Sequence, residues 1–176
     1  MTAAKPSVLA RFRATGKFWP VLAHSTRTAI ASIVSVLVAR LFRLPEAYWA
    51  PVTTLVITQS SLGAALTVSR QRFAGTAMGA ALSALVATYF EPRILVFGAC
   101  AFFMGFLCVL AHFDRSAYRF GGVTLAIVLL IPRAAPAWII AFHRFAEVSI
   151  GIAVALLLAT LCAEQADDPS TTQRIV

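Results

Sequence analysis

The 176-residue sequence contains little charge, and acidic residues are especially few. Charged residues make up 12% of the chain, with 7 Asp and Glu against 15 Lys and Arg. A soluble domain of this size has roughly twice that charged fraction, because polar groups must cover much of its surface. The shortage of charge therefore argues against an ordinary soluble fold.

Residues that carry chemistry are also sparse. The three cysteines form no CxxC pair, and none of the three histidines lies at metal-ligand spacing from them. The sequence contains no GxSxG, HExxH or P-loop pattern. It therefore predicts a protein that is not an enzyme and that needs neither a metal nor another cofactor.

What the chain does contain is long apolar runs. Hydrophobic residues make up 60% of it, and the mean hydropathy is +0.83. A helix that spans a bilayer needs about 20 mostly apolar residues. Candidate spans lie at residues 21–42, 47–62, 73–90, 94–113, 118–131 and 142–163. The pattern predicts an all-α membrane protein with six transmembrane helices over residues 21–163. A basic, interfacial segment (1–20) precedes this domain, and a polar tail (164–176) follows it.

The basic residues indicate an orientation for these spans. When they are assigned to the connections, ten fall on the side of the N-terminus and five on the other side. The excess of Lys and Arg on cytoplasmic loops predicts that both termini are cytoplasmic. The net charge of +8 is then mainly an orientation signal. Because no basic patch with interleaved aromatic residues remains, nucleic acid is not an expected partner.

The two halves of the chain resemble each other. Residues 72–88 match residues 144–160 at an offset of 72, and residues 47–57 match residues 117–127 at an offset of 70. Each unit contains three spans, so the two units enter the membrane from opposite sides. This predicts a 3+3 inverted repeat, an architecture of many secondary transporters. Chance similarity between Ala- and Leu-rich helices is the alternative.

Small residues recur every four positions on two of these spans. Gly75 and Gly79 begin one such row, and Gly151 begins the other. Rows of this kind let helix backbones approach closely in lipid. Both packing within one chain and an interface between chains are consistent with the pattern.

Ionisable groups inside spans are costly and are therefore candidates for function. Arg27 either contacts a substrate or extends its side chain to the headgroups. Glu147 either couples transport to protons or forms a local ion pair with Arg144. The second span also carries an unusually polar stripe that is expected to line a cavity, formed by Thr53, Thr54, Thr58 and Gln59.

Three motifs resemble one known family. They are Tyr48-Trp-Ala-Pro-Val-Thr53, Gln59-Ser-Ser-Leu-Gly-Ala64 and Arg72-Phe-Ala-Gly-Thr-Ala-Met-Gly79. Together they resemble the fusaric-acid-resistance (FUSC-like) family, which is related to the aromatic acid exporters. Ser60 stands where that family usually has proline. The residues that carry the match, or its helix packing, are Trp49, Pro51, Gly63, Gly75, Thr76, Gly79 and Gly151.

The resemblance implies a bacterial inner-membrane transporter that exports small organic, especially aromatic, carboxylic acids. Arg27 and Arg72 would then offer positive charge along the substrate path. The expected partners are the lipid bilayer, a small organic anion, and either further copies of the chain or a partner membrane subunit. A non-transporting membrane subunit or assembly protein, packing through its small-residue helix faces, is the alternative.

Overall fold

The computed structural model describes residues 18–58, 62–91, 93–132 and 134–166, and these residues form helices and connections without strands. The helices are α1 (Phe18–Leu41), α2 (Trp49–Thr58), α3 (Leu62–Tyr89), α4 (Ile94–Leu110), α5 (Arg115–Leu130) and α6 (Ala137–Ala166). The all-α class is thereby confirmed. Most of the predicted N-terminal segment, Gln59 and nearly all of the polar tail lie outside the described residues.

The helices correspond to the six predicted segments, with one large difference in bounds. Helix α3 begins at Leu62 rather than near residue 73, because the intervening residues are mainly good helix formers. Arg70 and Arg72, which the charge count placed in a cytoplasmic loop, therefore lie within a helix. Arg144, which was counted on the opposite side, lies within α6, as the sixth predicted span implies. The assignment of Arg70 and Arg72 to a loop was wrong.

Two helical stretches have the length and hydropathy expected of a membrane crossing, Val21–Leu41 and Ala137–Leu161. Helix α2 has only 10 residues, so it is roughly 15 Å long. That is about half of the hydrocarbon thickness of a bilayer. The number of helices agrees with the prediction, and a crossing by all six of them stays a prediction.

Helices α3 and α5 run parallel and touch through small residues. Gly75 faces the backbone of Ala117, and one turn later Gly79 faces Gly121. A Cβ atom added at Gly79 would lie 2.6 Å from the carbonyl oxygen of Gly121. Two parallel helices separated by one antiparallel helix are expected when the chain reverses direction at each connection.

Helix α6 makes the corresponding contact with α2. A Cβ atom added at Gly151 would lie 2.5 Å from the carbonyl oxygen of Ala50. One turn earlier, Glu147 contacts the backbone of Glu46, so α2 and α6 also run parallel. The glycines of both small-residue rows therefore pack within one chain, which was one of the two alternatives.

Helices α1 and α4 end in the same way. Arg43 and His112 follow their C-termini with φ angles of 53° and 56°. In each case the next residue donates its N–H to the carbonyl five positions back, that of Ala39 or of Cys108. This is the 6→1 bond of a Schellman motif, in which a left-handed residue ends a helix.

Large apolar side chains cover much of the outside of the bundle. On α4, Phe102, Phe103 and Phe106 are each more than half exposed, and Leu95 is 83% exposed. In water, contiguous apolar patches of this kind are uncommon on a monomer. The exposed surface therefore suits lipid or another membrane protein.

Candidate functional site

Charged side chains are buried where α3 and α6 pack together. Arg72 is 7% exposed, Arg144 is 2% exposed and Glu147 is fully buried. Arg and Glu are almost never fully buried unless they are paired, because removing a charge from solvent is costly. These residues, together with Glu46, Trp49, Thr53 and Phe120, which contact them, are called the arginine cluster below.

Arg72 connects three helices within the arginine cluster. Its Nε donates a hydrogen bond to Thr53 Oγ1 on α2, at 3.2 Å. Its guanidinium carbon lies 4.7 Å from the ring centroid of Phe120 on α5, which is within the range of a cation–π interaction. Thr53 in turn donates its hydroxyl to the carbonyl of Trp49, at 3.0 Å. The cation is thus held by a hydroxyl and an aromatic face.

Arg144 lies against a second aromatic ring and a carboxylate. Its guanidinium carbon is 3.9 Å from the ring centroid of Trp49, and its Nη1 is 3.6 Å from Glu147 Oε2. Glu147 Oε1 accepts a hydrogen bond from the backbone N–H of Glu46, at 3.1 Å. The Glu46 side chain accepts the indole N–H of Trp49, also at 3.1 Å. The ring of Trp49 therefore contacts the guanidinium of Arg144, while its indole N–H donates to the carboxylate of Glu46.

The charges of the arginine cluster nearly balance. Arg72 and Arg144 are close enough to act on each other electrostatically, and like charges in a low-dielectric site repel strongly. Glu147 and the half-buried Glu46 bring two negative charges to the same place. The ion pair between Arg144 and Glu147, the simpler of the two interpretations of Glu147, is present.

The threonine stripe of α2 faces protein. Thr54 Oγ1 lies 3.1 Å from the carbonyl oxygen of Ala50 and 3.2 Å from that of Gly151 on α6. Thr58 donates to the carbonyl of Thr54 at 2.6 Å. Hydroxyls on buried helices commonly bond to the carbonyl four residues back. The stripe is therefore hydrogen-bonded within the helix pair, with Thr53 as its link to Arg72.

The remaining predicted residues are scattered around this site. Arg27 is half-buried on α1, and its Nε is buried without a hydrogen-bond partner among the described residues. Thr76 is buried on α3, while Pro51 is half-buried in the first turn of α2. Gly63 has open space around its Cα.

Sequence reasoning missed three members of the arginine cluster as site residues. Arg144 was considered only as an ion-pair partner, and Glu46 and Phe120 were not considered. A signal for Arg144 was present, since it stands at an offset of 72 from Arg72 in the matching segments. Nothing in the local pattern around Phe120 distinguished it from the other phenylalanines.

Two cavities lie beside the ends of helices. The first, of about 250 Å³, is called the α6 cavity, and its lining consists of Pro45, Glu46, Ala135, Ile139, Ile140, His143 and Arg144. The second, of about 320 Å³, is lined by Thr67, Arg70, Gln71, Ala111, His112, Phe113 and Asp114. Among the described residues, the lining of the α6 cavity combines apolar side chains with the guanidinium of Arg144, the carboxylate of Glu46 and the imidazole of His143. The guanidinium is the group that could bind a small organic anion.

An apolar outer surface around buried, paired charges is typical of membrane proteins that move solutes. Residues 32–158 match the family described as fusaric acid resistance protein-like. The match covers well over half of the chain, so the chain belongs to this transporter-like membrane family. The resemblance seen in the sequence motifs is thereby confirmed.

Curated relatives are consistent with this assignment. The chain is 32% identical over 151 residues to "Uncharacterized transporter YdhK" of Escherichia coli (strain K12), and the alignment covers 80% of this chain and 22% of that protein. It is 34% identical over 120 residues to "Inner membrane protein YeeA" of the same strain, over 63% of this chain and 33% of that protein. The chain thus spans about a fifth to a third of the length of these relatives. No solved structure is similar enough to count as a match.

Proposed function

We propose that the chain forms a transport unit of the bacterial inner membrane that carries small organic carboxylates, with aromatic acids as its main substrates and export as its direction. The observation that carries this proposal is the arginine cluster beside the α6 cavity. Lipid would cover the exposed apolar surface, and a second copy or a partner membrane subunit would share it. The transporter-like family of the chain supports the general activity.

The chemistry of the arginine cluster favours an organic acid over other solutes. A guanidinium binds a carboxylate through parallel hydrogen bonds, and the pairing is stronger where water is excluded. The apolar walls of the α6 cavity, formed by Pro45, Ile139 and Ile140 among others, suit an apolar ring or chain. Further contacts along the path are proposed for Arg27, Arg72 and the polar stripe (Thr53, Thr54, Thr58 and Gln59), and a proton site is proposed at Glu147.

We further propose that the two halves are an inverted repeat. Phe73 and Phe145, which correspond at an offset of 72, contact each other with ring centroids 5.0 Å apart. Residues that meet their own counterparts lie close to a two-fold axis. Arg72 and Arg144 flank this contact, and each lies over an aromatic ring from the other half of the chain.

The helix ends and the close contacts between helices also support the inverted repeat. Gly79 packs against α5 and its counterpart Gly151 packs against α2. The left-handed residues that end α1 and α4, Arg43 and His112, are 69 positions apart, close to the offset of 70 between the second and fifth predicted spans. Cap geometry is independent of the Ala- and Leu-rich composition, so it argues against chance similarity.

The topology is testable by reporter fusions. In the proposed arrangement the α1–α2 connection is external and the α4–α5 connection is cytoplasmic, with both termini cytoplasmic. Fusions at Arg43 and at Arg115 should therefore report opposite sides of the membrane. Reporters on the same side would contradict the inverted repeat.

Transport itself is tested with a panel of aromatic and aliphatic acids in deletion and overexpression strains. We expect overexpression to lower the cellular retention of some acids, and Arg72→Gln to remove most of that effect. Arg93→Gln is the matched control, because Arg93 is exposed and pairs with the exposed carboxylate of Glu91. If no acid in the panel differs between strains, or if both variants behave alike, the proposed function is wrong.

A further inference from the structure

Arg144, which lines the α6 cavity, contacts the buried carboxylate of Glu147. We propose that an organic carboxylate binds Arg144 in the α6 cavity while Glu147 takes up a proton, so that the proton and the anion bind together. This inference rests on the proposed function and adds to it a defined binding residue, a proton site and the sign of the coupling between them.

The position of Arg144 is the first step of the argument. Among the described residues that line the α6 cavity, it is the only arginine, and its side chain is 2% exposed. Its guanidinium is held over the Trp49 ring at 3.9 Å, which fixes its orientation. A carboxylate that enters this cavity therefore meets a positioned cation between apolar walls.

The second step is competition for that cation. Glu147 Oε2 already lies 3.6 Å from Arg144 Nη1, and a substrate carboxylate would add a negative charge at the same guanidinium. Two carboxylates that share a buried site cannot easily both remain ionised. A proton from water that adds to Glu147 gives a neutral carboxylic acid, removes this repulsion and leaves Arg144 to the substrate. No bond other than the new O–H is formed or broken.

Two other titratable groups lie near Arg144. Glu46 is half-buried and already accepts the Trp49 indole N–H. His143 is half-buried and lines the α6 cavity, so it is the competing proton acceptor that the His143→Gln variant tests. Glu147 is fully buried, where an ion loses most from desolvation. Arg144 and, across the cluster, Arg72 on α3 are the cations that favour the ionised form of Glu147. A substrate carboxylate bound to Arg144 would offset that effect.

The sign of the coupling has a consequence for transport. Because the coupling is reciprocal, the proton strengthens binding of the anion as much as the anion strengthens binding of the proton, and a carrier loaded in this way moves both in the same direction. An inward proton gradient then favours uptake of the anion. The proposed export therefore runs only while the outward gradient of the acid exceeds the inward gradient of the proton.

The test is calorimetric titration of the purified full chain in detergent with benzoate, in two buffers that differ in ionisation enthalpy. We expect uptake of about one proton per benzoate bound, and an affinity that falls by up to about tenfold per pH unit as pH rises. Glu147→Gln should bind benzoate with an affinity that no longer depends on pH and without proton uptake. Glu91→Gln, at an exposed carboxylate, is the matched control and should behave as the wild type. Arg144→Gln should not bind benzoate.

The outcomes separate this inference from the proposed function. Benzoate binding without proton uptake, or uptake that persists in Glu147→Gln, overturns the inference and leaves organic-acid binding intact. Uptake that is lost instead in Glu46→Gln or His143→Gln overturns the assignment to Glu147. If the wild type binds no acid of the panel at any pH, the proposed function fails as well. The wild-type titration decides the sign of the coupling even if a variant does not fold.

Discussion

The close approach of α3 and α5 leads to a prediction about single methyl groups. We expect Gly79→Ala to destabilise the bundle. The new Cβ atom would lie 2.6 Å from the carbonyl oxygen of Gly121 and 2.9 Å from its Cα. Both are backbone atoms, so the clash cannot be relieved by rotating a side chain, and the two helices must separate.

The expected size follows from two opposing effects. Overpacking of a close contact costs about 1–3 kcal/mol, and replacing helical glycine by alanine returns up to about 1 kcal/mol of helix propensity. With about 2 kcal/mol for the first effect and about 1 kcal/mol for the second, the net loss is about 1 kcal/mol. For a chain of this length that corresponds to a fall of roughly 2–4 °C in Tm.

The matched control is Gly122→Ala on α5. Gly122 neighbours the contact, but a Cβ atom added there meets no other heavy atom within 4 Å. The assay is thermal unfolding in detergent, followed by the loss of the monodisperse peak in size-exclusion chromatography. The control should match or exceed the wild type in Tm. A Gly79→Ala protein as stable as Gly122→Ala would refute the proposed packing of α3 on α5.

Three further changes test other contacts. A double-mutant cycle on Phe73 and Phe145 should give a coupling of about 0.5–1.5 kcal/mol in thermal unfolding, because the rings interact beyond their burial; no coupling would contradict their contact. His112→Gly should raise Tm, since its φ of 56° costs a side-chain-bearing residue about 1 kcal/mol more than glycine; a lower Tm would show that the side chain has a role of its own. Trp49→Phe should weaken benzoate binding only modestly, because it keeps the ring over Arg144 and loses the hydrogen bond to Glu46; Trp49→Ala should weaken it more, and equal losses would exclude a role for the ring.

Much of the fold could be predicted from the sequence because the helices are long apolar runs with clear breaks. Pro45 and Pro132, each next to a charged residue, lie in connections, where the missing N–H of proline does least harm. The start of α3 could not be found in this way. The stretch from Gly63 to Arg72 contains no proline, and a hydropathy pattern cannot distinguish a polar helical turn from a loop.

The candidate site was harder to predict, because burial of a charge depends on tertiary packing. Arg72 and Arg144 each begin a segment recognised as repeated, yet the charge count placed Arg72 in a connection and used Arg144 only as an orientation signal. What buries them is contact with aromatic rings from the opposite half, Phe120 and Trp49. A cation–π contact between residues 48 or 95 positions apart leaves no local signal.

The two halves of the proposed inverted repeat differ at the site. The counterpart of Glu147 at an offset of 72 is Gly75. Glu147 approaches the backbone of Glu46 through its carboxylate, whereas Gly75 approaches the backbone of Ala117 with no side chain at all. Both halves therefore supply an arginine, but only one supplies a buried acid beside it. Two equivalent halves would bind an anion equally well from either side of the membrane. Because the acid is on α6 alone, the proposed proton-linked step is confined to the α6 cavity, while the gradients of the proton and the anion set the direction of net transport.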